Sequence, residues 1–195
     1  MKKAMKTLLA TIKTETAKRE YQKDEYGRVI VPMVVNDDSD FLSVFAETEA
    51  PLISADVADY IETKTDDIPA DEQLTLRIRS NCIDAEEQQA YRTGIKEYYM
   101  SKFIYAEKEL KQNTMLAGVL LATGLIALFL MNLVDATFGS YYWTEVVDII
   151  AWVFIWESVD TFVFGTHEYK TLRARCVAYM DMNVEFLPMK NKTTV

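Results

Sequence analysis

Two acidic residues lie inside an apolar run that is otherwise typical of a membrane span. The run IIAWVFIWESVDTFVF covers residues 149–164 and carries Glu157 and Asp160 three positions apart, with Asp148 just before it on another helical face. Three-residue spacing places Glu157 and Asp160 on one face of a helix. Because a carboxylate is costly in lipid, such residues are functional-site hypotheses, and the chemistry they offer is the passage of a cation or a proton.

The sequence leaves three states open for this pair. Residues 115–164 contain no Lys, Arg or His, so a hairpin built from them holds no cation for Glu157. The side chain could be protonated and hydrogen-bonded to a neighbouring subunit. Alternatively, Arg173 or Arg175 could reach in from the cytoplasmic end, more easily to Asp160 than to Glu157. A ring of carboxylates could also line an ion path in an oligomer of about four or more copies.

A hairpin of two transmembrane helices would position these carboxylates. Residues 115–134 carry no charge and cover roughly the 30 Å hydrocarbon core of a bilayer at helical rise. Residues 139–140, Gly-Ser, favour a turn, and a second span follows over about 143–164. The alternative for that second segment is a helix on the membrane surface. Its apolar residues surround the whole helix, however, whereas a surface helix needs a polar face. We therefore predict an insertion at 113–166 that crosses the bilayer twice.

The distribution of basic residues predicts the orientation of this hairpin. Basic residues flank the two spans on their outer sides, and the connecting loop has none. By the positive-inside rule, both termini lie in the cytoplasm and the short loop lies outside. The sequence thus predicts an integral protein of the inner (cytoplasmic) membrane. The flanking bases are Lys96, Lys102, Lys108, Lys111, Lys170, Arg173 and Arg175.

Residues 1–112 are expected to form a cytoplasmic α+β domain. RVIVPMVV (28–35) is β-branched, with Pro32 indicating an edge strand or a bulge. QLTLRIRS (73–80) alternates as a half-buried strand does, and DFLSVFAETE (40–49) is a candidate for another strand. Ser54 is positioned to cap a short helix. Asp84 with Glu87 three residues later resembles a capping box that opens a helix to about residue 112.

The long helix before the first span carries one apolar stripe. Such a stripe indicates either a core face or a surface for a partner helix. Both possibilities remain open from the sequence, and the first residues of the stripe are the candidate interaction surface. The stripe consists of Tyr91, Ile95, Tyr99 and Phe103, followed by Ala106 and Leu110.

Residues 167–195 return to the cytoplasmic side. They begin as a short helix and continue as an alternating strand, with Met180, Met182, Val184 and Phe186 on one face. A strand at this end needs a partner, and the N-terminal domain lies on the same side of the membrane. We therefore expect a single small sheet with helices, built from both chain ends, into which the hairpin is inserted. Movements of the hairpin and of the sheet would then be coupled.

Composition excludes several classes of function. A net charge of −9 disfavours nucleic-acid binding. Two cysteines, Cys82 and Cys176, and the single His167 are too few for a zinc cluster or a disulfide framework. NDDSD (36–40) lacks the glycine and glutamate of an EF-hand loop and is expected to be a turn. No glycine-rich phosphate loop occurs, so we predict no metal and no cofactor. The basic N-terminus has an apolar stretch too short for a signal peptide and predicts an amphipathic helix.

Three stretches resemble a family of small, uncharacterised bacterial inner-membrane proteins. They are VVDIIAWVFIWESVDTFVF, the later MDMNVEF, and LTLRIRSN with DAEEQQAYRTGIKEYY before the first span. The resemblance covers roughly residues 73–187, and its most specific part is 152–160. It implies a two-helix transmembrane hairpin with cytoplasmic flanks, and it implies no activity.

Together these features predict a non-enzymatic, membrane-anchored interaction or assembly module that forms a homo-oligomer. Its expected partners are the lipid bilayer and a protein bound at the cytoplasmic domain. The acidic segment 37–72, with twelve carboxylates against Lys64 alone, is a second candidate surface. The alternative is a small oligomeric channel or transporter component that uses Glu157 and Asp160. An enzyme ranks third, because no catalytic constellation is visible.

Overall fold

A small parallel sheet forms the centre of the molecule. The computed structural model describes residues 21–47, 49–138 and 141–189 of the 195-residue chain. Strands β1 (Val29–Val34), β2 (Leu74–Arg79) and β3 (Asn183–Leu187) pair in the order β1-β2-β3. Both pairings are parallel. The chain therefore combines helices with a three-stranded sheet, and the C-terminal strand joins the N-terminal domain as predicted.

Parallel strands need a crossover, and the two crossovers here differ greatly in size. Helix α1 (Ala55–Thr65) connects β1 to β2. The connection from β2 to β3 consists of α2 (Ala85–Phe138), α3 (Tyr141–Asp160), a π-helical segment (Thr161–Gly165) and α4 (Thr166–Met180). The helical hairpin is thus part of the link between two neighbouring strands of the sheet.

Side-chain caps set where α1 and α2 begin. The Ser54 hydroxyl accepts a hydrogen bond from the Val57 N–H, as expected for an N-cap. Asp84 accepts from the backbone N–H of Glu87 at 2.9 Å, and the Glu87 carboxylate accepts from the Asp84 N–H at 2.8 Å. This is the predicted capping box. Because neither helix start depends on distant residues, the sequence located both.

Helix α2 is longer than the sequence predicted. It runs for 54 residues, about 80 Å, without a break at the expected boundary near residue 112. It contains no proline, so nothing in the chain interrupts its backbone hydrogen bonds. One continuous helix therefore links the sheet domain to the apolar segment.

The core packs one face of the sheet against the helices. The Val29, Val31 and Met33 side chains of β1 and the Leu74, Leu76 and Ile78 side chains of β2 are buried in it. Ile61 of α1, Tyr99 of α2 and Tyr179 of α4 belong to the same cluster. The sheet is therefore held by residues from both halves of the chain, on either side of the hairpin.

Hydrogen bonds already occupy part of both edges of the sheet. On β1, the Ile30 N–H donates to the Gln22 carbonyl at 2.8 Å, and Pro32 has no N–H to offer. The Tyr60 hydroxyl donates to the Pro32 carbonyl at 2.7 Å. On β3, the Arg92 guanidinium donates to the Val184 carbonyl at 2.9 Å. These contacts disfavour extension of the sheet by another strand.

Two predicted elements are not found among the described residues. The strand expected over 40–49 is wrong, because the described residues there form turns with a single bridge between Leu42 and Ile53. The amphipathic helix expected in the N-terminal twenty residues lies outside the described part of the chain.

By length and composition, one described helix could cross a membrane. The segment Ala85–Leu133 contains a window of mean hydropathy 2.3. Helix α3 carries Glu145, Asp148, Glu157 and Asp160. By length and composition, α3 is not a second candidate for crossing a membrane. The hairpin is a feature of the fold, whereas its double crossing of a bilayer remains a prediction.

Candidate functional site

The hairpin holds α3 against α2 in antiparallel register. The Ser158 hydroxyl donates to the Ala117 carbonyl at 2.7 Å. A Cβ added at Gly165 would lie 2.9 Å from the Asn113 amide nitrogen, and one at Gly124 would lie 2.7 Å from Ile155 Cγ1. Residue numbers on the two arms therefore change in opposite directions. This register agrees within about one helical turn with that of a hairpin that turns near residue 139.

Small residues make this close approach possible. Ala117, Ala151 and Ser158 are all at least 95% buried, and Gly124 faces Ile155 with no room for a side chain. Small residues at helix contacts let the backbones approach closely, as is common between membrane helices. Ala117 and Gly124 are seven residues apart, as are Ala151 and Ser158. This seven-residue spacing of small residues on both arms is the sequence signal for the contact seam.

Glu157 and Asp160 do not lie on this seam. Both side chains are exposed, while Ser158 between them is buried. Within the described residues, no hydrogen bond or ion pair reaches either carboxylate. Asp148 is half-buried. The pair therefore points outward from the hairpin.

The outer face of α3 is defined by Ile149, Val153, Trp156 and Asp160, with Glu157 beside it. The spacings of four, three and four residues align these positions along the helix. Ile149, the first residue of this face, lies two positions before the seam residue Ala151. Two positions correspond to about 200° around the helix. Val153 is 61% exposed and Trp156 is 72% exposed. Asp160 thus lies on an exposed apolar face opposite the contact with α2, and Glu157 lies at the edge of this face.

Of the three states that the sequence leaves open, pairing with Arg173 or Arg175 does not occur in this structure. Arg173 forms an ion pair with Glu107 of α2 at 3.1 Å. Arg175 donates to the Asp66 carbonyl at 2.8 Å and lies 3.5 Å from the Asp66 carboxylate. Because parallel pairing places β3 beside β2, α4 comes to lie against the end of α1. Arg175 is therefore held at the end of α1 and Arg173 on α2, both away from the outer face of α3.

The apolar stripe of α2 forms core rather than a free surface. Tyr91, Ile95 and Tyr99 are at least 96% buried, and Ala106 is fully buried. Tyr91 stacks on Phe41, and Tyr99 packs against Tyr179 with ring centroids 4.5 Å apart. Phe103 is half-buried. The first three residues are therefore not available to a separate partner, which corrects their interpretation as an interaction surface.

A cavity of about 500 Å³ lies where α1, α2 and α4 meet. Glu62 and Asp66 of α1 line it, together with Lys102 of α2 and Arg175 and Cys176 of α4. Lys102 donates to the Glu62 carboxylate at 2.7 Å. Although burial opposes it, this carboxylate holds the pKa of Lys102 above its ordinary value. The cations and carboxylates at this helix junction therefore neutralise one another in pairs.

The cysteines and the histidine show no catalytic arrangement in the described residues. Burial raises the pKa of the Cys176 thiol to about 11, so the thiol is neutral near pH 7. Cys82 and His167 are exposed. The NDDSD segment is a turn, in which Asp37 accepts from the Ser39 N–H at 3.1 Å and Asp38 accepts from the Tyr91 hydroxyl at 2.9 Å. Within residues 21–47, 49–138 and 141–189, no cluster of ligating side chains suits a metal ion.

The π-helical segment Thr161–Gly165 directly follows the carboxylate pair. It shifts the phase of the helix between the outer face of α3 and the junction at α4. The Thr166 hydroxyl donates to the Phe162 carbonyl, and Gly165 lies against Asn113. Sequence periodicity did not predict this segment, because five residues are too few to show a changed period.

Comparison of the chain with models of protein families, with curated proteins and with solved structures finds no match. Functional inference therefore rests on the site itself.

Proposed function

We propose that the protein is a membrane-anchored interaction module, with its hairpin in the inner membrane and its α+β domain in the cytoplasm. One observation carries this proposal: α2 contributes buried core residues to the sheet domain and then, without a break, a belt of exposed apolar side chains. A soluble monomer rarely exposes so large an apolar surface. The belt on α2 includes Leu116, Val119, Ile126, Phe129, Leu130 and Leu133, each at least 48% exposed.

Helix α3 crosses the bilayer in this proposal despite its carboxylates. It packs on α2 through the small-residue seam, so a strongly apolar arm accompanies it into the membrane. Its exposed residues include Ile149, Val153 and Trp156. Bases flank the hairpin on the side of the sheet domain, which supports cytoplasmic termini.

The proposed role is assembly rather than catalysis. Because the edges of the sheet are partly occupied, association is expected through the hairpin, with copies meeting at the exposed belt of α2. The acidic segment 37–72 offers a separate cytoplasmic surface for a protein partner. Since the hairpin is the crossover between β2 and β3, binding in either compartment can be transmitted to the other along α2.

Membrane fractionation tests the anchor. Introducing Lys at both Ile126 and Phe129, which are 60% and 71% exposed, should move the protein out of the membrane fraction. Lys at Ile104, which is 60% exposed but lies outside the apolar stretch, is the matched control and should leave the protein membrane-bound. Wild-type protein that remains soluble and monomeric without lipid or detergent would overturn the proposal.

Cysteine labelling tests the orientation. With Cys176 replaced by Ser, an impermeant maleimide applied to intact spheroplasts should label Ser140→Cys and spare the native Cys82. Lysis should then expose Cys82, which has an exposed side chain. The opposite pattern would place the sheet domain outside the cytoplasm.

A second candidate function is that of a channel or transporter component. The observation that favours it is the outward position of Glu157 and Asp160, which could turn toward a shared axis in an oligomer. Native mass spectrometry in nanodiscs decides whether such an axis exists. A monomer or dimer excludes it, whereas about four or more subunits would call for flux measurements on Glu157→Gln.

A further inference from the structure

We propose that the outer face of α3 binds a transmembrane helix of another protein that carries a Lys or Arg one to two turns inside its cytoplasmic end. This inference rests on the proposed function, because it places the hairpin in a bilayer. It adds the class of partner and the surface that recognises it.

The depth of the two carboxylates follows from the hairpin register. Because Ser158 bonds to Ala117, Asp160 is level with about residue 115, where the apolar stretch of α2 begins. Glu157 is level with about residue 118, roughly 5 Å deeper. Asp160 therefore lies near the cytoplasmic boundary of the hydrocarbon, and Glu157 lies about one turn inside it.

Within the described residues, no base forms an ion pair or a hydrogen bond with these acids. Arg173 is engaged with Glu107 and Arg175 with Asp66. Helix α2 presents no Lys, Arg or His beyond residue 114. Ionised carboxylates at this depth are stabilised when an opposite charge pairs with them, and an isolated intramembrane base gains equally from the same contact.

Charge also argues against a second copy of the chain as the occupant. Copies inserted with the same orientation place the same residues at the same depth. Since residues 115–164 contain acids but no bases, a second copy would bring Glu157 and Asp160 toward like charges. A transmembrane helix with a base at this depth is complementary in charge to Glu157 and Asp160, whereas a second copy of the chain is not.

The shape of the face suits a helix. Ile149, Val153, Trp156 and Asp160 repeat at four-three-four spacing, the pattern by which one helix packs along another. Ile149 is 64% exposed, so the apolar part of this face is not covered by the described residues. These apolar residues would supply packing area for the partner helix next to the carboxylate pair.

The test uses designed partner helices expressed with the full-length protein in bacterial inner membrane. Each partner is a Leu/Ala span of about 23 residues with a basic N-terminal flank that fixes its orientation. One version has Lys one turn inside the cytoplasmic end, and matched versions have Leu or Glu at that position. Fluorescent proteins on the cytoplasmic ends report association by energy transfer.

We expect the Lys helix to associate with the wild-type protein and the Leu and Glu helices to associate on the order of tenfold less. The Glu157→Gln/Asp160→Asn variant should reduce association of the Lys helix to the level of the Leu helix. Asp148→Asn is the matched control, since Asp148 lies on the same helix but off the outer face, and it should change nothing.

Three results would overturn the inference. They are equal association of the Lys and Leu helices, no loss in the Glu157→Gln/Asp160→Asn variant, and self-association of the protein that depends on Glu157. Membrane fractionation of each variant separates these results from failure of the anchor. Protein absent from the membrane fraction refutes both proposals, whereas membrane-bound protein that ignores the Lys helix refutes only this one.

Discussion

The Ser158 hydroxyl on α3 donates a 2.7 Å hydrogen bond to the Ala117 carbonyl on α2, across the seam of the hairpin. Ser158 is 5% exposed, whereas Glu157 and Asp160 on either side are exposed. This contact belongs to the seam that fixes the rotation of α3, with the small residues inward and the two carboxylates outward.

Replacing Ser158 with Ala should weaken the hairpin by roughly 0.6–1.7 kcal/mol, as measured for hydrogen bonds between membrane helices. The Ala117 carbonyl still belongs to α2 after the substitution, so the variant loses only the hydrogen bond between the two helices. Thr123→Ala is the control, because the Thr123 hydroxyl donates within α2 to the Val119 carbonyl. Reversible unfolding in mixed micelles measures both. Equal effects of the two variants would contradict a special role for Ser158.

Replacing Gly124 with Ala should destabilise the hairpin by about 1–3 kcal/mol, in the range of overpacked cores. The added Cβ would lie 2.7 Å from Ile155 Cγ1 and 3.1 Å from the Ala151 carbonyl oxygen. Gly118→Ala is the matched control, since a Cβ there meets no described heavy atom within 4 Å. The same unfolding measurement should show little change for Gly118→Ala. A neutral Gly124→Ala would mean that the two helices are farther apart.

Replacing Tyr179 with Phe should lower the free energy of unfolding by about 1 kcal/mol. The variant removes the 2.7 Å hydrogen bond between the Tyr179 hydroxyl and Thr65 Oγ1 and keeps the ring packed on Tyr99. A double-mutant cycle with Thr65→Val isolates the pairwise energy. Tyr26→Phe serves as the control, because Tyr26 is 79% exposed. Additive single effects would show that the two hydroxyl groups are not coupled.

Replacing Asp24 with Asn should reduce stability at neutral pH and have little effect near pH 2. Burial acts to raise the pKa of Asp24, but hydrogen bonds from Arg28 and from the Thr75 hydroxyl outweigh it and lower this pKa to about 2. A lowered pKa in the folded state stabilises the protein above the ordinary carboxyl pKa near 4, and this contribution disappears as the pH falls to about 2.

Unfolding of wild-type and Asp24→Asn protein at several pH values between 2 and 7 checks this dependence. Asp59→Asn is the comparison, because Asp59 is exposed and makes no side-chain hydrogen bond or ion pair with the described residues. The difference between wild type and Asp24→Asn should shrink from pH 4 downward. A difference that stays constant over this range would show that the charge of Asp24 does not contribute.

Local patterns were enough to predict several elements. The strand β2 follows from the alternation of QLTLRIRS, and the starts of α1 and α2 follow from Ser54 and from the Asp84–Glu87 pair. In each case the interacting groups lie within a few residues of one another, so the sequence itself contains the whole interaction. The apolar segment 115–134 and the lack of bases over 115–164 are equally direct properties of composition.

The partners of the charged residues could not be predicted in this way. Arg175 and Asp66 are 109 residues apart, and they meet only because β3 pairs in parallel with β2 and brings α4 to the end of α1. The alternative in which Arg175 pairs with Asp160 rests on distance along one helix. Such a distance does not include the contact with Asp66 that the fold supplies.

The sequence by itself determined that an apolar hairpin containing acidic but no basic residues is inserted into a small sheet domain. It could do so because charge and hydropathy are properties of single residues. Only the tertiary structure decided that Ser158 faces α2 and that Glu157 and Asp160 face outward. Helical spacing gives the relative angles of side chains around an axis, but packing against a second helix is needed to fix which angle points inward.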